Sequence, residues 1–212
     1  MIASKRRICQ KQTLNPNMSN PHRLILASTS PYRRDLLKKL GLSFECAAPG
    51  IDESRHRNES AHALASRLAQ EKAAAIAEQR DEGLIIGSDQ VAALGGILIG
   101  KPGSREAAID QLLRASGRTV DFHTAICVTQ AETGTTRILV DLCRVTFRSL
   151  TQDQIKRYLD ADQPYDCAGS FKSEGLGISL MERIEGNDPN ALVGLPLINL
   201  IRLLDSFGVQ IP

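Results

Sequence analysis

The sequence predicts an α/β protein with a mixed central sheet and flanking helices. Three features carry that prediction. The N-terminal half alternates short apolar strands with helical segments, the pattern of βα units and parallel pairing. "LIIGS" (84–88) opens on three aliphatic residues, as a central strand covered on both faces does. Further on, "VDFHTAICVTQ" and "TRILVDLCRVTFRSL" flank "AETG", which is how an antiparallel pair reads.

The elements follow in order. "RLILAS" (23–28) is a buried strand, and a helix over 31–40 follows it. Ser30 is its N-cap, Pro31 suits the first helical position, and Gly41 closes it. "SFECAA" (43–48) is a second strand, leading into the polar loop "PGIDESRHRNES". An alanine-rich helix spans Ala61 to Gln79, and the third strand is 84–88. "VAALGGILIG" (91–100) reads as a hairpin turning at Gly95–Gly96. Residues 104–115 form a Ser-capped helix with Ile109, Leu112 and Leu113 on one side. After the antiparallel pair, Thr151 caps a helix through Leu159. "GISLMERIEG" is the last strand and "LPLINLIRLLDSFG" the C-terminal helix.

Composition narrows the function. With 42% hydrophobic and 24% charged residues in 212, the chain has the balance of a soluble globular protein. "LPLINLIRLL" is interrupted by Asn199 and Arg202, and no run approaches a membrane span. The five cysteines (Cys9, Cys46, Cys127, Cys143 and Cys167) are scattered without a CxxC pair, which suits reduced thiols in a cytosolic protein. Residues 1–20 hold Lys5, Arg6, Arg7 and Lys11 with no acid, so the formal charge of +2 hides a body at −2. That acidic body argues against nucleic acid as the partner. The leader has no apolar period and is expected to be a disordered extension, with Met18 as an alternative start.

Chemistry concentrates in a few strings. In "STSPYRR" (28–34), two arginines occupy the first turn of a helix, the end where positive charge is least favourable. A strand end, hydroxyls, helix N–H groups and two guanidiniums together suit a polyanion such as triphosphate; the alternative is solvated surface charge. Asp89 is expected at the end of a buried strand, where open α/β sheets carry functional groups. There it could hold Mg²⁺, orient a water or accept its proton; the alternative is a turn aspartate. Asp52 and Glu53 form a second acidic cluster, and Lys72 and Lys101 are further phosphate contacts. "GGILIGK" (95–101) mimics a P-loop, but Pro102 stands where Ser or Thr should be. An apolar ribbon also lacks the free N–H groups of a phosphate cradle.

Taken together, "LILASTSPYRRDLLKKLG", "IDES", "RLAQEKA", "IIGSDQV", "GKP", "CAGSFKSEGLG" and "GNDPNALVGLPL" resemble the Maf family of nucleoside triphosphate pyrophosphatases. The resemblance is collinear from about Arg23 onward, so 21–212 is one domain behind a leader of 1–20. It implies two lobes around a deep cleft, a cytoplasmic location, a homodimer as a common assembly, and cleavage of a nucleoside triphosphate to monophosphate and pyrophosphate. It also implies a divalent metal cation (Mg²⁺, Mn²⁺ or Co²⁺) held by Glu53 and Asp89, and no nucleic acid or membrane partner. Asp89 becomes the proton acceptor that activates water. Ser28, Arg33, Glu53, Lys72 and Lys101 fall on active-site positions, and Arg34 joins them as a phosphate contact.

Three positions bear on the base. The pyrimidine-preferring branch resembles "SPRR", "ADT" and a glutamine, where this chain has Tyr32, Gln90 and Glu174. The combination is similar to the branch acting on 7-methyl-GTP, although that branch usually has Trp at the first position. N7-methylation makes the purine cationic, which an aromatic face and a carboxylate both favour. Two alternatives stay open: a dTTP/UTP pyrophosphatase of the same family, and a nucleotide-binding regulator of cell division without turnover.

Overall fold

The structure, a computed structural model, describes residues 22–211. The leader read above as disordered, residues 1–20, lies outside the described residues. The elements are β1 (Leu24–Leu26), α1 (Pro31–Lys38), β2 (Phe44–Cys46), α2 (Ala61–Ala77), β3 (Leu84–Leu94), β4 (Ile97–Ile99), α3 (Arg105–Ala115), β5 (Thr119–Gln130), β6 (Thr136–Phe147), α4 (Gln152–Asp162), β7 (Met181–Glu185) and α5 (Leu197–Asp205). Four helices begin as their sequences require. Ser30, Ser60, Ser104 and Thr151 each accept the amide hydrogen three residues on, satisfying one of the donors a helix start leaves open. None of the described helices is long and apolar enough to cross a membrane.

The strands make one mixed seven-stranded sheet in the order β2-β1-β3-β5-β6-β7, with β4 also pairing β3. β1 runs parallel to both β2 and β3, whereas β3, β5, β6 and β7 are antiparallel to their successive neighbours. Alternation along the strands sorts side chains between the two faces. Leu24, Leu26, Leu84 and Ile86 pack with Leu36 and Leu37 of α1 and Leu200, Leu203 and Leu204 of α5. The intervening Ile25 and Ile85 pack instead with Leu64, Leu68 and Ile76 of α2. A third cluster joins Leu112 of α3 and Ile155 and Leu159 of α4 to Phe122, Val145 and Phe147.

The third strand differs from expectation. It does not stop at residue 88 but continues to Leu94, because β5 pairs with its whole length, from Leu84↔Gln130 to Leu94↔Val120. Asp89 is therefore a mid-strand residue opposite Ala125, not a residue past the strand's end. The other edge of β3 is only partly covered. The β1 ladder ends at Leu26↔Ile86 and the β4 ladder begins at Ala92, so residues 87–91 lie between the two. The last strand is also shorter than its sequence suggests, because Leu176–Leu180 forms a 3₁₀ turn before β7. Its Gly177 sits so close to the Lys172 backbone that a Cβ would strike it.

Gly87 sets how closely α2 approaches the sheet. A Cβ there would fall on the Ala69 carbonyl oxygen and lie 3.0 Å from both the Cβ and the amide nitrogen of Ala73. Both obstacles belong to α2, and backbone cannot rotate aside as a side chain can. Gly87→Ala is expected to destabilise the protein by about 3 kcal/mol, a fall in Tm on the order of 10 °C for a chain of this size. Calorimetry checks this, and an unchanged Tm would show that α2 can lift from β3 without loss.

Candidate active site

A cleft of about 730 Å³ opens beside the uncovered edge of β3. Of the ten residues proposed above for the site, all but Arg34 line it. Its centre is Lys72 on α2, 5% exposed, whose Nζ lies 2.6 Å from Asp89 Oδ1 and 2.6 Å from Glu53 Oε1. A buried ammonium is tolerated only when paired, and here two carboxylates share it. Burial pushes the Glu53 carboxyl up, but Lys72, Lys101 and Arg33 together outweigh it and hold Glu53 below the usual glutamate range. Glu53 is thus ionised where the site works.

Glu53 is placed by a clamp that the motifs did not reveal. Arg67, one and a half turns before Lys72 on α2, donates through Nε to Glu59 Oε1 (2.8 Å) and through Nη2 to the Ser54 carbonyl (2.9 Å). Its Nη1 donates to Glu71 Oε2 at 2.9 Å. The Arg67–Glu71 spacing of four is legible on a helix; the reach to Glu59 and Ser54 across a loop is not. Asp52, expected in an acidic cluster with Glu53, is instead turned back on its own loop. Its two oxygens accept from the Ser54 amide (2.9 Å) and hydroxyl (2.8 Å), and it does not line the cleft.

The arginine pair divides. Arg33 enters the cleft and donates from Nε to the Gly194 carbonyl at 2.8 Å. Burial lowers its pKa, opposed by the negative charges of Asp89 and Glu53; a guanidinium stays protonated regardless. Arg34 lies outside the cleft with its Nε 3.6 Å from Asp35 Oδ1. Successive helical residues point about 100° apart, so only one of the two faces the site. The helix amides expected to hold phosphate are also partly engaged: Pro31 has none, and that of Arg33 is held by Ser30 Oγ at 3.4 Å. Ser28, buried at the end of β1, accepts from the Ser30 amide at 3.2 Å and fixes the approach to α1. Lys101, beyond β4, reaches the cleft from an exposed position.

Tyr32 and Glu174 share the cleft with Lys172, Asp166 and Cys167, which sequence reasoning passed over. Burial, reinforced by Cys167 and Asp166, raises the Tyr32 phenol against the opposing effect of Lys172, so the ring is neutral at working pH. Lys172 is itself anchored: its amide donates to the Tyr158 hydroxyl and its Nζ to the Asp162 carbonyl, each at 2.9 Å. Burial pushes the Cys167 thiol up to about 12, which leaves it a protonated, inert wall. Gln90 lines the cleft too, but its amide nitrogen donates to the Ala191 and Leu192 carbonyls.

Asp89 and Glu53 fit a divalent cation of the kind that arrives with a triphosphate. Among the described residues no group of three or more His, Cys, Asp or Glu could cage a metal. Each of the two carboxylates nevertheless has a second oxygen beyond the one facing Lys72. Mg²⁺-type ions characteristically take one or two carboxylates and complete their shell with phosphate and water.

A family model described as Maf-like protein matches residues 23–207. The chain is 56% identical to the 7-methyl-GTP pyrophosphatase of Alcanivorax borkumensis over 89% of its length and 96% of that protein's. It is 53% identical to the 7-methyl-GTP pyrophosphatase of Aromatoleum aromaticum, covering 90% of this chain and 98% of that one. It is 50% identical to the protein of that name from Pseudoalteromonas atlantica, covering 89% and 97%. Among solved structures, the Staphylococcus aureus Ham1 protein superposes with a TM-score of 0.47 at 15% identity, covering 87% of this chain and 97% of that one.

The shared ammonium makes a prediction about ionisation. Lys72→Met removes the main partner that holds the Glu53 carboxyl down, so burial gains and the pKa rises. A carboxyl depressed in the folded state contributes stability above its unfolded value that is lost as pH falls, and this variant should surrender it at higher pH. A carboxyl-carbon NMR titration checks the shift. A Glu53 titration unmoved by Lys72→Met would assign the depression to Lys101 and Arg33 alone.

Proposed function

The chain belongs to the Maf-like protein family, and from that premise we propose that it hydrolyses 7-methyl-GTP to 7-methyl-GMP and pyrophosphate. One observation carries the chemistry: the paired carboxylates Asp89 and Glu53 meet around Lys72, with Arg33 and Lys101 in the same cleft. The cations suit the triphosphate chain, and the acids suit water and a divalent metal. The names of the relatives support the base, as do a neutral aromatic ring and a carboxylate lining one cleft.

In this reading Arg33 and Lys101 hold phosphate oxygens and orient the α-phosphorus. Asp89 accepts a proton from the attacking water as its oxygen bonds to that phosphorus. The bond from the α-phosphorus to the bridging oxygen breaks, and pyrophosphate leaves with the electron pair. Lys72, ion-paired with Asp89, opposes the charge that builds on the phosphoryl oxygens. When bound, a divalent cation held by Asp89 and Glu53 supplies charge neutralisation of the triphosphate; Mg²⁺, Mn²⁺ and Co²⁺ are all suited to oxygen ligands of this type. A cytoplasmic enzyme for free nucleotides completes the proposal, supported by the acidic body and scattered cysteines. Exposed Leu176, Ile178 and Ile184 near the edge strand β7 favour a homodimer.

Asp89→Asn keeps the shape of the side chain and removes its basicity. It is expected to lower kcat by at least ~100-fold while substrate still binds. Pyrophosphate release measured with each metal checks this, and near-normal turnover would remove the general-base assignment.

Base preference is tested separately. Guanine and its N7-methyl form differ by one methyl group and one charge, so shape discriminates little. A desolvated cation–π contact supplies about 2 kcal/mol, and the Glu174 carboxylate adds to it. The wild-type protein should therefore prefer 7-methyl-GTP to GTP. Glu174→Gln should weaken that preference, and Tyr32→Ala should erase much of it. Equal turnover of dTTP or UTP in a nucleotide panel would sink the base assignment, and binding without release of pyrophosphate from any of them would favour the regulator.

A further inference from the structure

α3 stands behind the cleft and lines none of it, yet it is bonded to both of the walls that do. Gln111, in the middle of the helix, makes both contacts with one side chain. Its Nε2 donates to the Gly100 carbonyl at 3.2 Å, and its Oε1 accepts from Ser170 Oγ at 2.6 Å. A carbonyl can only accept, so the nitrogen of the amide faces Gly100 and the oxygen faces Ser170. The Ser170 hydroxyl is therefore the donor, and its hydrogen is engaged within the protein. Two further contacts brace the same junction at the start of α3. The Gly103 amide donates to the Tyr165 carbonyl at 3.0 Å, and Arg105 pairs with Asp160 of α4 at 2.7 Å.

Each partner leads directly to a side chain of the site. β4 is only three residues long, and its ladder with β3 ends at Ala92↔Ile99. Beyond that ladder Gln111 holds the Gly100 carbonyl, and the next residue is Lys101, whose exposed ammonium reaches the cleft. The other wall begins with a bend. Gly169 (φ +75°) and Ser170 (φ +63°) are successive left-handed residues, a conformation that L side chains rarely take. Gly169 avoids the cost, and a Cβ there would also lie 3.0 Å from Phe122 Cζ. Ser170 bears it with a side chain, and the bond from its fully buried hydroxyl to Gln111 offsets it. Past the bend, Phe171 stands edge-on to Phe122 and Phe147, and the Lys172 amide is held by the Tyr158 hydroxyl. Ser173 and Glu174 then enter the cleft, so the path of Glu174 is set at Ser170.

We propose that Gln111 is a positioning residue for both ends of the substrate, acting through the Gly100 carbonyl on Lys101 and through the Ser170 hydroxyl on Glu174. It does not line the cleft, so it works through these two groups and not by contact with the substrate. One planar amide fixes the spacing of its two partners and keeps the two walls in register. The inference rests on the reading of the cleft as a nucleoside triphosphate site, with Lys101 on phosphate and Glu174 beside the base. Gln111→Met keeps the length of the side chain and cuts both links, whereas Ser170→Ala cuts one and spares the other.

The test combines calorimetric titration of inorganic tripolyphosphate, a ligand with no base, with steady-state kinetics on 7-methyl-GTP and GTP. Gln111→Met is expected to weaken tripolyphosphate by about tenfold, the scale of a displaced contact to a charged group. It should also lower the ratio of kcat/KM for 7-methyl-GTP over GTP by about threefold, the scale of shifting an exposed carboxylate. Ser170→Ala should lower that ratio to the same extent and leave tripolyphosphate affinity unchanged. In a Lys101→Ala background, Gln111→Met should weaken tripolyphosphate by less than about twofold further, because coupled residues are not additive. Gln111→Asn, too short to span both partners, should reproduce the losses and serves if the Met variant does not fold. A folded Gln111→Met protein with unchanged tripolyphosphate affinity, or with an unchanged base ratio, would overturn the proposal. An equal tripolyphosphate loss with and without Lys101 would overturn it as well. No tripolyphosphate binding to the wild-type protein would sink the triphosphate reading itself, and the proposal with it.

Discussion

A buried ammonium between two carboxylates organises this molecule. Lys72 is enclosed by α2 and the sheet, and removing either partner of a buried ion pair typically costs about 3–5 kcal/mol. Its environment must therefore be built around it. Gly87 lets α2 lie against β3 closely enough for Lys72 to meet Asp89. Arg67, on the same helix, binds the loop that brings Glu53 to the other side of the ammonium. The contact joins a helix, a strand and a loop far apart in sequence. The chemistry of the cleft and the packing of α2 are thus one constraint.

β3 gives the site its second property. It is the strand at which pairing changes from parallel to antiparallel, and residues 87–91 lie between the ladders of β1 and β4. Open α/β sheets place sites where such topology changes leave a crevice. A strand there also separates functions by parity. Asp89 faces Lys72, while Ser88 and Gln90 hold the turn that carries the Gly194 carbonyl to Arg33. Ionisable groups and the scaffold that positions Arg33 can occupy adjacent residues without competing for space.

Donors left unused on one side of the cleft suit it to an anion. Lys72 is fully engaged by its two carboxylates, whereas Arg33 has a neutral carbonyl as its hydrogen-bond partner and Lys101 stands exposed at the rim. Positive charge with unused donors is what a triphosphate requires. Around Tyr32 the phenol and the Cys167 thiol are both held in their neutral forms by burial and nearby negative charge. That part of the cleft is suited to contact with a flat ring.

Much of this was legible in the chain alone. Ser30, Ser60, Ser104 and Thr151 begin helices because a cap is a contact across three residues, and the strands alternate because their period is two. Asp89, Glu53, Lys72 and Arg33 stand out as chemistry in the sequence itself. The extent of β3 was not legible, since its polar middle reads as an end until β5 is seen to pair along all of it. Nor could local pattern choose Arg33 over Arg34, or Glu53 over Asp52. Adjacent residues point in different directions, and which of them faces the cleft is settled by Gly194, 161 residues from Arg33, and by Arg67 gripping a loop from the next helix. Gln90 is the clearest case. Its identity is in the sequence, but its partners are the Ala191 and Leu192 carbonyls, groups which every residue possesses and which only the folded chain brings within reach.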